Sequence, residues 1–178
     1  MQKIYHGLGG IQAPYALNLR AWDIQYNGIA VELDEELHFN QYRAQTLTAP
    51  IYSSLPRFPL QLYQKYCTNH EHACLKAGRF GQKWTNPSCE RQFGSASPNG
   101  ILAKNGAPRW KQRAFYDCIK DLAPLMLGIN VVRIAIWDII VVDNRQIPIQ
   151  KALDTPDKQI RDAIIKLIEQ RSYLNFPI

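Results

Sequence analysis

The sequence has little cysteine and lacks any long apolar run. Four cysteines in 178 residues are too few for a small domain stapled by disulfides. No stretch approaches the ~20 apolar residues that a membrane-spanning helix needs. The first residues, MQKIYH, are not followed by the apolar core of a secretory signal. These absences predict a cytoplasmic protein without a membrane partner.

The composition is that of a folded protein. Hydrophobic residues make up 46% of the chain and charged residues 20%, which excludes an intrinsically disordered segment. A chain of this length buries about 70% of its unfolded surface. We therefore expect one domain over residues 1–178. The net charge of +6 favours a polyanionic partner, although by itself it is weak evidence.

The spacing of apolar residues predicts an α/β fold with a mixed sheet of about four strands and flanking helices. The predicted helices lie near residues 38–48, 109–127 and 157–172, and the predicted strands lie in a hairpin near residue 27, at 130–138 and within 139–149. Proline and glycine, which break regular elements, are frequent in 49–108. That segment is predicted to be an irregular insertion.

The hairpin is the most informative part of the sequence. Asn27-Gly28 is the preferred dipeptide of a two-residue type I′ turn, and this turn fixes the register of the flanking strands. Asp23 then lies opposite Glu32, with Asp34 two residues further along the same face. Opposed like charges repel. A shared proton, a basic neighbour or a divalent cation would offset this repulsion.

Carboxylate oxygens are hard ligands, and small neighbouring alanines leave room for water, so Mg²⁺ or Mn²⁺ is the expected ion at Asp23, Glu32 and Asp34. The alternative is a solvated hairpin face on which the acids are incidental. Residues 23–36 contain five acids and no basic residue, which favours the metal site.

Two blocks of the sequence resemble a nuclease family. Asp23, Glu32-Leu33-Asp34 and His38 are similar to the Asp…Glu-x-Asp-Gly-x-x-His pattern of very-short-patch-repair-like endonucleases, which belong to the PD-(D/E)XK superfamily. The segment Asp117–Asp121 followed by 131–138 resembles that family's charged helix and third core strand. The resemblance implies a restriction-endonuclease-like sheet and metal-dependent hydrolysis of DNA.

The resemblance also implies roles for individual residues. Asp23 and Glu32 would bind the metal, and His38 would act as a base or an acid. Asp34 stands where the family usually has a lysine, and Glu35 stands where it usually has glycine. Lys120 is a candidate for the displaced lysine, and Arg113 is a second candidate cation. A histidine that only caps the strand–helix junction is the alternative for His38.

Three of the four cysteines lie close together in the predicted insertion. Cys67, His70 or His72, Cys74 and Cys89 would complete a tetrahedral zinc site, which would stabilise a segment without its own core. The spacing fits no common zinc-finger pattern. Reduced, packed cysteines beside exposed histidines are the alternative.

Basic residues are concentrated in 76–113, which contains eight lysines and arginines and one acid, Glu90. Clustered cations suit phosphate contacts, and planar side chains can also contact bases. The predicted nucleic-acid-binding residues are Lys76, Arg79, Lys83, Trp84, Arg91, Lys104, Arg109, Lys111 and Arg113. A solvated loop is the alternative.

Three functions follow from these patterns. The first is a metal-dependent nuclease acting on DNA. The second is a catalytically inactive relative of the nuclease fold that binds nucleic acid or a protein, which the missing lysine favours. The third is a zinc-stabilised interaction module.

Overall fold

A computed structural model of the chain describes residues 1–13, 19, 21–155 and 157–173. It confirms a mixed α/β protein. The chain forms two compact units. We call the first the helical unit (Met1–Arg20, Glu36–Ser54 and Leu60–Leu122) and the second the sheet unit (Ala21–Glu35, Leu55–Pro59 and Ala123–Ile178).

The helical unit is built from short helices around an aromatic core. Its α-helices are α1 (Gln2–Gly7), α2 (Gln41–Thr46), α3 (Leu60–Asn69), α4 (Glu71–Gly78), α5 (Pro87–Phe93) and α6 (Pro108–Asp121). Tyr5, Phe93 and Phe115 are all at most 1% exposed, and the ring of Tyr5 lies 5.3 Å from that of Phe93 and 5.0 Å from that of Phe115. Burial of these large rings provides the main stabilisation of this unit.

The prediction that 49–108 is irregular is wrong, because α3, α4 and α5 lie within it. Proline occupies the first turns of α5 and α6, where the missing N–H has no helical partner to lose. At the start of α5, the side chain of Asn86 accepts a hydrogen bond from the backbone N–H of Cys89. The prolines and this cap therefore begin helices rather than interrupt them.

The sheet unit contains two small sheets. Strands β1 (Ile24–Tyr26), β2 (Ile29–Asp34) and β3 (Val131–Ala135) form the first, in the order β1-β2-β3, with β2 antiparallel to β1 and parallel to β3. Strands β4 (Ile139–Val142) and β5 (Arg145–Pro148) form the second. Helices α7 (Ala123–Leu127), α8 (Ile149–Asp154) and α9 (Lys158–Arg171) complete the unit. A single sheet of about four strands is not confirmed.

Both hairpins of the sheet unit use left-handed turns. Asn27 and Gly28 have φ values of 45° and 77°, and Ile24 pairs with Val31 and Tyr26 with Ile29, so the predicted turn and register are confirmed. Asp143 and Asn144, between β4 and β5, also have positive φ, at 49° and 62°. In place of the single edge strand expected within 139–149, this segment folds as a hairpin followed by the start of α8.

The core of the sheet unit lies between the sheets and the helices of the same unit. Ile29, Val31, Val132 and Ile134 are at most 3% exposed, and they belong to the same cluster as Ile168 of α9. Strand β3 is buried along its whole length, as is typical of a strand covered on both faces. None of the described helices is both long and apolar enough to cross a membrane.

Candidate functional site

The three hairpin acids are positioned by the register of β1, β2 and β3. Asp23 directly precedes β1, and its Oδ2 atom accepts a hydrogen bond from the backbone N–H of Leu33 at 3.0 Å. Glu32 and Asp34 lie within β2 and are only 3% and 1% exposed. The predicted solvent-facing alternative is therefore wrong for Glu32 and Asp34, because both side chains are buried.

A buried arginine faces these acids from the neighbouring strand. Arg133 of β3 is paired in register with Glu32, and its Nη1 atom donates a hydrogen bond to Oδ1 of Asp34 at 2.6 Å. The side chains of Arg133 and Asp34 are 0% and 1% exposed. Buried charges persist only when they are paired and hydrogen-bonded. Of the three groups proposed to offset the repulsion among the acids, the structure places a basic neighbour against Asp34.

Asp34 is already engaged by a protein cation, and magnesium binding at Asp23, Glu32 and Asp34 stays a prediction. A guanidinium holds one carboxylate oxygen of Asp34, whereas Mg²⁺ needs several hard oxygen ligands converging on one point. Within the described part of the chain, Asp23, Glu32 and Asp34 do not as a group bring ligand oxygens within 4.8 Å of one another. Asp34 is part of a salt bridge within the sheet, Asp23 is hydrogen-bonded to the backbone of β2, and their role as metal ligands stays a prediction.

His38 of the helical unit has an acidic partner. It ends a short 3-10 turn, Glu36–His38, and its Nδ1 atom lies 2.8 Å from Oδ2 of Asp117 on α6. The side chain of His38 is 19% exposed and that of Asp117 is 6% exposed. In a neutral ring, Nδ1–H donates to the carboxylate, so Nε2 carries the lone pair. Such a pair can accept or deliver a proton at Nε2.

No local pattern in the sequence identifies the partner of His38. Asp117 precedes Lys120 by three residues on α6, and residues three apart lie on the same side of a helix. Lys120 is half-buried in the last turn of α6. Asp117 belongs to the block that resembles the nuclease helix, but its contact with His38 depends on folding across 79 residues.

The cysteines of the predicted zinc site are buried and reduced. Cys67, Cys74 and Cys89 lie on α3, α4 and α5, and all are free thiols. Among the residues that the structure describes, no three of these cysteines and the two neighbouring histidines bring their ligand atoms within 4.8 Å of one another. Burial raises the pKa of Cys74 to about 12, which opposes formation of the thiolate that zinc binds.

Two of these residues have contacts of another kind. The Sγ atom of Cys89 accepts a hydrogen bond from the backbone N–H of Asn86 at 3.0 Å, so Cys89 closes the capping box of α5. The ring of His70 lies 5.8 Å from that of Tyr66, and burial, with His72 as a second cause, lowers the pKa of His70. Zinc binding stays a prediction, which metal analysis of the purified chain tests.

The predicted nucleic-acid-binding residues divide by exposure. Lys76, Arg79, Lys83, Arg91 and Lys104 are exposed, and Arg109 and Arg113 are half-buried. The prediction is wrong for two members of the set, because the buried side chains of Trp84 (0% exposed) and Lys111 (6% exposed) are not available to a nucleic acid. The ammonium of Lys111 donates to Oδ1 of Asn105 at 2.6 Å, and burial lowers the pKa of this lysine.

Trp84 has an anchoring role in the helical unit. Its ring packs at 5.2 Å and 73° against that of Trp110, and the two indole N–H groups donate to backbone carbonyls at 2.9 Å, Trp84 to Ser97 and Trp110 to Lys83. The bond of Trp84 joins two loops, 79–86 and 94–107, which we call the basic loop pair, and the bond of Trp110 fixes the first of them to α6. An indole buried with its N–H satisfied is a stable anchor.

The basic loop pair contains no acidic residue. The neighbouring Glu90 on α5 accepts hydrogen bonds from the hydroxyl of Thr85 at 2.8 Å and the backbone N–H of Ala96 at 3.3 Å. It therefore ties one loop to the other. Arg79, Lys83 and Lys104 are exposed, so the loops present positive charge to solvent, while Glu90 is engaged internally.

One aromatic side chain extends from the same loops. Phe80 is 60% exposed, and the Cζ atom of Arg79 lies 4.8 Å from the centre of its ring. The backbone of Gly100, in the second loop, passes close enough that a Cβ atom built there would lie 3.8 Å from Arg79. Sequence reasoning identifies Arg79 but misses Phe80, because an isolated phenylalanine in a sequence is usually a core residue.

The fold and these surfaces define a mixed α/β protein with a basic, aromatic-tipped loop surface. Residues 3–155 match a family of unknown function, DUF7255, and the chain belongs to that family. Neither the curated proteins nor the solved structures contain a match to it.

Proposed function

We propose that this chain binds nucleic acid, DNA in particular, through the basic loop pair, and that it does so in the cytoplasm. The observation that carries the proposal is the exposure of Arg79, Lys83 and Lys104 on loops without an acid. Lysine and arginine bind phosphates and release counterions, and this release supplies most of the affinity of sequence-independent binding.

The anchoring of the loops supports this proposal. A polyanion binds more tightly to cations that are held in place, because binding then costs less conformational entropy. Trp84 and Trp110 hold the backbone of both loops from inside the helical unit. The carboxylate of Glu90 joins the two loops, because it accepts hydrogen bonds from Thr85 in one and Ala96 in the other.

The test measures binding of labelled 20-nucleotide DNA, single-stranded and duplex, by fluorescence anisotropy between 50 and 200 mM salt. The double substitution Lys83→Gln and Lys104→Gln should weaken binding to both forms. It should also reduce the slope of log K against log salt by about 0.7 to 0.9 for each phosphate that is no longer neutralised. Lys151→Gln with Lys158→Gln, two exposed lysines of the sheet unit, is the matched control and should change neither quantity. Equal effects of the two doubles would refute the assignment of the surface.

Hydrolysis of phosphodiester bonds is a second candidate, favoured by the pair of His38 and Asp117. A carboxylate that holds Nδ1 of a histidine fixes the ring for proton transfer at Nε2. The resemblance to PD-(D/E)XK nucleases also supports this candidate, with the β1–β2 hairpin and parallel β3 as a reduced restriction-endonuclease-like sheet. The guanidinium that binds Asp34 favours binding without cleavage.

Incubation of the chain with labelled DNA, in Mg²⁺, in Mn²⁺ and in EDTA, tests hydrolysis. If the second candidate is right, the unaltered chain cleaves DNA and His38→Asn does not. Lys120→Gln should also reduce this cleavage if Lys120 replaces the lysine that the family usually has. A metal-dependent cleavage that survives the double substitution Asp23→Asn and Glu32→Gln would exclude the hairpin acids as the metal site. Circular dichroism confirms that each variant is folded.

A further inference from the structure

Phe80 stands apart from the other aromatic residues of the chain. Among the residues that the structure describes, it is the one phenylalanine, tyrosine or tryptophan with an exposed side chain. Exposing an aromatic ring of this size forgoes roughly 1.5 to 3 kcal/mol of burial. A ring that is left in water on a firmly anchored loop suggests that it has a partner to contact.

The surroundings of the ring leave room for that partner. Arg79 lies over the ring at 4.8 Å, and within the described part of the chain Phe80 makes no other ring-stacking or cation–π interaction. Gly81 follows at a φ of +57°, and a Cβ atom at this glycine would meet nothing within 4 Å. One face of the ring is thus backed by a guanidinium, and the backbone beside the ring is open.

The charge of the loops limits what the partner can be. An acid-free loop pair with exposed cations attracts polyanions, and a partner that also stacks on phenylalanine must present flat, unsaturated rings. Single-stranded nucleic acid presents both phosphates and exposed base faces. In a duplex the base faces are stacked on one another, so the ring of Phe80 has no face to contact.

From this geometry we infer that Phe80 and Arg79 form a stacking platform for an unpaired base, and that the basic loop pair prefers single-stranded nucleic acid to duplex. This inference rests on the proposed function and names its substrate class. Arg79 covers one face of the ring while a base stacks on the other, and Lys83 and Lys104 contact the flanking phosphates. Stacking adds affinity that does not depend on salt, because it releases no counterions.

The test compares three labelled ligands of equal length: a single-stranded thymidine 20-mer, a duplex 20-mer and an abasic 20-mer that keeps the phosphates without bases. Phe80→Ala should weaken binding of the thymidine strand by roughly 5- to 150-fold. It should leave duplex and abasic binding, and all salt slopes, unchanged. Ile101→Ala, at a 50% exposed apolar residue of the second loop, is the matched control. Phe80→Trp should retain binding, with tryptophan fluorescence quenched on addition of the thymidine strand.

The outcomes separate this inference from the proposed function. If the lysine double substitution weakens binding but Phe80→Ala does not change thymidine binding, the stacking platform is wrong and the basic surface stands. If Phe80→Ala weakens all three ligands equally, the ring does not read bases and the inference is also overturned. If the unaltered chain binds none of the three at 50 mM salt, the proposed function fails, and the platform with it.

Discussion

Replacing Arg133 with methionine tests whether the hairpin acids belong to the sheet or to a metal site. Arg133 and Asp34 meet at 2.6 Å with 0% and 1% side-chain exposure, and Glu32 is paired with Arg133 across the strands. Methionine keeps much of the volume of arginine but removes the charge. Asp34 then remains buried beside a neutral side chain in place of the guanidinium.

The expected decrease in stability follows from burial. Removing one partner of a buried ion pair costs about 3 to 5 kcal/mol in the free energy of unfolding. In a chain of this size each kcal/mol corresponds to about 2 to 4 °C in the melting temperature, so Arg133→Met should lower it by roughly 6 to 20 °C. Thermal and urea unfolding, followed by circular dichroism at pH 7, measure both quantities.

Two further measurements make the reasoning falsifiable. Combining Arg133→Met with Asp34→Leu should destabilise the chain by less than the sum of the two single changes, because the double variant no longer contains the buried Asp34 charge that the arginine offsets. Added Mg²⁺ should leave the melting temperature of the unaltered chain unchanged. Additive effects would show that the ion pair does not couple the strands, and stabilisation of the unaltered chain by Mg²⁺ would show that the acids bind the metal after all.

The helical unit supports two more predictions. Tyr52→Phe should lower the free energy of unfolding by about 1.5 to 3 kcal/mol in urea titrations, because the hydroxyl donates to Asp121 at 2.5 Å beside the buried guanidinium of Arg43; a neutral effect would contradict this network. The thiol of Cys74, with its pKa raised to about 12 from 9.0, should be about a thousandfold less ionised at pH 8 than an ordinary thiol. A disulfide reagent should therefore react with Cys74 only after unfolding. If the native chain has a fast-reacting thiol and the Cys74→Ser variant lacks it, this prediction is wrong.

The local features of the sheet unit could be predicted from the sequence. The Asn27-Gly28 turn acts over four residues, so its dihedral angles and register follow from the dipeptide alone. The β4–β5 hairpin escapes prediction because Asp143-Asn144 adopts the same left-handed turn without glycine. Asparagine and aspartate tolerate this conformation less readily than glycine, which makes their signal weaker.

The helices of 49–108 escape prediction for a different reason. Prolines are easily interpreted as breaks, although at the first turn of a helix they cost little and mark a start. Pro87 and Pro108 both occupy that position. Helix α6 ends at Asp121, and the separate helix α7 begins at Ala123, whereas the apolar spacing predicts one helix continuing to residue 127.

The partner of the hairpin acids depends on long-range folding. Strands β2 and β3 lie side by side although 99 residues separate Asp34 from Arg133, and no local pattern fixes that register. The sequence does contain one indication. An arginine in the middle of the apolar run Asn130–Asp138 requires a buried acid nearby, because a lone buried charge is too costly.

In the basic loop pair, the residues that hold the loops in place are different from the residues that the loops expose to solvent. Trp84 and Trp110 hold the loop backbones through main-chain carbonyls, so the identity of the outward side chains at positions such as 80 and 83 makes little difference to folding. Substitutions at the loop tips should therefore change the surface that the loops present with little loss of stability. Positions 80 and 83 can vary while Trp84 and Trp110 keep the same scaffold.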